Sequence, residues 1–76
     1  MIIYRTKEEM LYHPEIGFYT AFGVAAFRET DGQKKLVEYV SDVFLEKEEA
    51  ENFVVLCNEL GLELIHLCDV IEDAIA

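Results

Sequence analysis

The chain has 76 residues, 53% of them hydrophobic, and a formal net charge of -10. That length fits one domain, 1–76, near the lower limit for folding without metals or disulfides. The negative field argues against nucleic acid and against anionic membrane surfaces as partners.

The apolar fraction is high for so small a chain. A single small core cannot hide it all, which points to a protein partner or a second copy, and a homodimer is expected. The charge is also uneven: residues 1–40 carry six acids against five bases, whereas residues 41–76 carry ten acids against Lys47 alone. A solvated helix face that keeps the protein in solution accounts for such a run. A docking surface for a basic partner is the functional alternative. Polar and charged residues come directly after Met1-Ile2-Ile3, so no signal peptide is expected. No apolar run approaches the ~20 residues of a membrane helix. Cys57 and Cys68 do not make a disulfide framework, and a reducing, cytoplasmic location is expected.

Residues 2–12, IIYRTKEEMLY, alternate between a mostly apolar set (Ile2, Tyr4, Thr6, Met10, Tyr12) and a wetter one. This period of two predicts a strand, although Lys7–Tyr12 would also suit a helix. Pro14 and Gly17 then mark a turn. Residues 18–29, FYTAFGVAAFRE, are apolar on both faces, as a central strand should be. Asp31-Gly32 is a strong hairpin signal, and residues 34–44, KKLVEYVSDVF, come next as a third strand. A two-residue turn there sets Thr30 opposite Gln33. Counting back pairs Ala26 with Val37, Val24 with Tyr39, Phe22 with Ser41 and Thr20 with Val43. On that register the face of Val24 and Phe22 takes the helices. Phe27, Leu36, Val40, Phe44 and Tyr19 are left on the open face as a candidate interface. The apolar set of the first strand joins the core face only if the loop at Pro14 has an odd residue count or a bulge.

In Glu46–Leu60 the positions Ala50, Phe53, Val54, Cys57 and Leu60 form one helical stripe. Glu46 is a poor N-cap, while Gly61 stands where a left-handed C′ residue is wanted. A second helix is predicted near His66–Ile75, burying Leu64, Leu67, Cys68, Ile71 and Ile75, with Leu62–Ile65 as an extended connection. Ten residues are not helical in isolation, so packing must hold this element.

Chemistry is sparse. The glycines are scattered and form no phosphate loop. Gly23 should permit a close approach on the open face or mark a bulge. The spacing of Cys57, His66, Cys68 and Asp69 matches no zinc or calcium pattern. Cys68 and His66 diverge on a helix, and carboxylates such as Asp69, Glu72 and Asp73 are ordinary on an acidic helix. Neither catalysis nor a cofactor nor a metal is expected. His66 and Asp69 remain weak functional candidates, through a small-ligand or metal groove near His66 and Cys68.

Val40-Ser41-Asp42-Val43, Lys47-Glu48, Leu56-Cys57-Asn58-Glu59-Leu60, Ile65-His66-Leu67 and Asp69-Val70-Ile71-Glu72-Asp73 together resemble a family of small uncharacterised proteins from clostridial-type bacteria. The likeness covers nearly the whole chain and is most specific over the last thirty residues. Leu64 and Leu45 depart from it, standing where Pro and a capping Thr or Ser would be expected. The resemblance implies strand, strand, strand, helix, helix, and no activity. The expectation is therefore an α+β protein: a three-stranded antiparallel meander, order 1-2-3, with two helices on one face. Its expected work is protein interaction, possible regulation included, through self-association.

Overall fold

The computed structural model describes residues 1–76. Three strands come first: β1 (Ile2–His13), β2 (Gly17–Thr30) and β3 (Gln33–Phe44). Helix α1 (Lys47–Leu60), a 3-10 turn (Leu64–His66) and helix α2 (Leu67–Ile75) complete the chain. The sheet is antiparallel with order β1-β2-β3, as the alternation and the two turns predict.

The two hairpins differ in kind. His13 pairs with Gly17, so the first loop holds three residues, and Gly17 has φ 88°. The odd count keeps Ile2, Tyr4, Met10 and Tyr12 on the same face as Phe22, Val24 and Ala26, which was the condition for that set to join the core. At the second turn Asp31 and Gly32 have φ 51° and 76°, the pair of left-handed residues that matches strand twist.

The expected register of β3 holds only near this turn, from Thr30–Gln33 to Phe27–Leu36. It then shifts twice: Ala26 pairs with Glu38, Val24 with Val40 and Phe22 with Phe44. Each extra residue in β3 moves the remainder of the strand to the other face. Two of the five residues placed on the open face are thereby corrected. Phe44 is buried in the core and Val40 packs against it. Tyr39 and Ser41 go to the open face instead. Burial of apolar side chains explains the choice, because the uniform register would have put a tyrosine and a serine under the helices.

The core lies between the sheet and α1. Tyr4, Phe22, Val24, Ala26 and Phe44 meet Ala50, Phe53, Val54 and Cys57, with Leu67 and Ile71 from α2. Phe44 and Phe53 stack at 5.4 Å. Leu60, at the end of the predicted stripe, is exposed. Glu46 makes no side-chain cap, and Glu48 and Glu49 face the positive helix end instead. Gly61 has φ 61°, and the N–H groups of Gly61 and Leu62 close the helix on Asn58 O and Cys57 O.

The connection expected to be extended is a 3-10 turn from Leu64, and α2 begins at Leu67. Cys68 and Ile75, predicted to be buried, are exposed, and Val70 is partly buried. A nine-residue helix lying at the sheet margin buries only the narrow row Leu67 and Ile71.

Candidate functional site

Along β2, small residues alternate on the open face: Ala21, Gly23 and Ala25. Side chains from both outer strands therefore reach across the central strand. Glu9, paired with Ala21, extends from β1 to the second shift in β3. Its carboxylate accepts from the Ser41 hydroxyl at 2.9 Å and from the Asp42 N–H at 3.1 Å. Asp42 has φ 56°, a left-handed conformation that Asp adopts more readily than most residues. Its own carboxylate accepts from the Tyr19 hydroxyl at 2.8 Å.

Tyr39 lies over Gly23, where a Cβ would collide with its hydroxyl and come within 2.7 Å of Val40 O. Lys7 sits above the Tyr39 ring, 5.8 Å from its centroid. The Tyr39 hydroxyl is buried and makes no hydrogen bond of good geometry. Burial first, and the adjacent Glu9 second, push this phenol up to about 12. For Glu9, burial acts to raise the pKa. The nearby Tyr39 hydroxyl, the Asp42 N–H, the Ser41 hydroxyl and the Lys7 charge outweigh it and hold the carboxyl below its usual value. Hydrogen bonding to Asp42 is the first cause raising the Tyr19 phenol. These groups lock β3 to β1. They leave no oriented nucleophile and base aimed at a shared reaction centre.

This network was not read from the sequence. Its signal was present in the Ala21, Gly23, Ala25 alternation, but the partners on β3 depend on register shifts that the turn does not specify. Gly23 does what was expected of it, admitting a close approach on the open face.

Of the candidate interface, Tyr19, Phe27 and Leu36 lie on the open face and Val40 and Phe44 do not. Phe27 pairs with Ile3 and Leu36 at one end, and Tyr19 with Leu11 at the other. A second apolar surface lies beyond the helices. β1 and β2 run past the end of β3, and Met10, Tyr12, Ile16 and Phe18 are all more than 60% exposed there. The rings of Tyr12 and Phe18 stack at 5.1 Å.

His66, Cys68 and Asp69 are exposed near the start of α2 and line none of the grooves in the structure. Grooves between the helices and the sheet lie instead at the other end of α2, lined by Phe44, Glu49 and Ala74. A groove of about 620 Å³ lies elsewhere, between Met1–Ile3 and the Asn58, Gly61–Glu63 end of α1. No cluster of three His, Cys, Asp or Glu side chains could hold a metal ion. No helix is long and apolar enough to cross a membrane.

The fold and its surfaces define a small α+β protein with a half-covered antiparallel meander. The chain belongs to the family described as a family of unknown function (DUF6514), whose model matches residues 2–76. No curated protein matches the chain, and no solved structure does.

Proposed function

We propose that this protein is a non-catalytic interaction module of the cytoplasm that self-associates and regulates through contact. The reading rests on one observation, the surface left uncovered. The accessible area is 5518 Å², against ~4,800 Å² for a compact monomer of this mass. The radius of gyration of 13.1 Å exceeds the ~11.4 Å of a compact chain of this length. The excess area is on the order of the ~800 Å² that each partner gives to a standard interface. Part of the exposed apolar surface lies where the first hairpin overhangs the helices. That end carries the exposed side chains Met10, Tyr12, Ile16 and Phe18. Contiguous apolar exposure of this kind is what interaction surfaces supply.

Sedimentation equilibrium is the test. The expected result is a dimer at high micromolar concentration, and a monomer throughout that range overturns the reading. A thermal-shift screen covers the small-ligand alternative, for which the groove at Met1–Ile3 is one of four in the structure. Specific stabilisation by a metabolite would favour it.

A further inference from the structure

The two edges of this sheet are not equivalent. The β3 edge is broken by two register shifts and by the left-handed Asp42, devices that keep an edge from pairing. β1 carries none of them. Its twelve pairs with β2 run in one unbroken register, from Ile2–Arg28 to His13–Gly17, and it contains no proline. The Glu29 N–H donates to Met1 O, so odd positions of β1 bond inward and even positions point outward. At Tyr4 the outward groups are already occupied. The Tyr4 N–H donates to Asn58 Oδ1 at 2.8 Å and the Asn58 amide donates to Tyr4 O at 2.9 Å. Past this stop, Thr6, Glu8, Met10 and Tyr12 present free N–H and C=O groups on an edge of unbroken register.

We propose that a second copy of the chain occupies this edge, β1 against β1, antiparallel, with the two-fold axis at Met10. The inference rests on the self-association proposed above and specifies its geometry. Charge selects the register. An axis at Lys7, Glu8 or Glu9 sets like charges directly opposite each other, which destabilises a pair. An axis at Thr6 requires the outward groups of Tyr4, which Asn58 holds. An axis at Met10 sets Glu8 opposite Tyr12, Glu9 opposite Leu11 and Lys7 opposite His13, with no like charges facing. Three hydrogen-bonded pairs then give about six backbone bonds, against about four for an axis at Leu11.

The remaining geometry agrees. Asn58 anchors α1 at Tyr4, six residues from Met10, and at ~3.3 Å per residue that is about 20 Å. The anchored ends of the two acidic helices thus stay well beyond the ~8 Å screening length. Met10, Tyr12 and Phe18 share the helix face, and each is more than 60% exposed in the single chain. The axis at Met10 sets the two Met10 side chains side by side and gives each Tyr12 a neighbour from the partner strand, with Phe18 one strand further in.

Proline scanning of the edge tests the proposal by sedimentation. The Met10 N–H points away from β2, so Met10→Pro removes no bond within the chain and should yield a folded monomer. Thr6→Pro lies outside the ladder and should dimerise as the parent does. A Met10→Pro protein that dimerises like the parent overturns the edge proposal while leaving self-association standing. A monomeric parent overturns both, and a folded, monomeric Thr6→Pro overturns the Met10 axis. Hydrogen exchange on the unmodified protein gives an independent reading that needs no variant to fold. The amides of Glu8, Met10 and Tyr12 should gain protection as concentration rises. Equal, fast exchange at low and high concentration overturns the proposal.

Discussion

Asn58 and Tyr4 are joined by two hydrogen bonds, 2.8 Å and 2.9 Å long, in which a side-chain amide takes the place of a neighbouring strand. The Tyr4 hydroxyl also donates to Leu62 O at 2.8 Å, so one residue of β1 fastens both α1 and the chain leaving it. Asn58→Ala leaves two backbone groups without partners and should cost about 2 kcal/mol in denaturant unfolding. Asn58→Asp should cost at least as much at neutral pH. The carboxylate can accept from the Tyr4 N–H but has nothing to donate to Tyr4 O. A near-neutral Asn58→Asp would show that the amide is not what holds the helix.

Gly23 and Tyr39 form a second coupled pair. A methyl group at position 23 collides with the phenol and approaches Val40 O to 2.7 Å. Gly23→Ala should therefore destabilise by about 1–3 kcal/mol. Adding Tyr39→Ala should recover only part of the loss, because the backbone carbonyl stays in place. The two effects must be non-additive in a double-mutant cycle.

The bridge from Glu9 to β3 carries a pH signature. The Glu9 carboxyl is held below its ordinary value of 4.5, so its ionised form is favoured by folding. The stability it contributes is fully present above the unfolded value and is lost as pH falls through the lower folded value. The difference in unfolding free energy between the parent and Glu9→Gln should be constant above about pH 5 and shrink below it. Using the difference removes the background from the other acids, whose mutual repulsion relaxes over the same range. A difference that is flat to about pH 3 would mean that the Ser41 and Asp42 contacts do not distinguish the charged carboxylate.

The register shifts make a direct prediction about β3. Val40→Lys places a charge against the core and should destabilise strongly, by about 3 kcal/mol or more. Leu36→Lys, on the open face and 52% exposed, should change stability by no more than about 0.5 kcal/mol. Under the uniform register the two substitutions would behave alike, so thermal unfolding of both variants discriminates between the pairings.

What the sequence determined by itself was local. Alternation set β1, a run apolar on both faces set β2, Asp31-Gly32 set the second turn and with it β3, the stripe from Ala50 to Cys57 set the buried side of α1, and Gly61 set its end. Each depends on residues close in the chain, where periodicity and backbone preference suffice. The face of β1 was conditional on the loop at Pro14, and the pairing of His13 with Gly17 met that condition. Tertiary structure decided the rest. Whether Val40 and Phe44 or Tyr39 and Ser41 lie beneath the helices is set by shifts in β3, and those arise from competition for one apolar layer. The Glu9 bridge and the Asn58 clasp likewise join positions separated by tens of residues. Their partners come within reach only after the sheet has paired and α1 has packed across it.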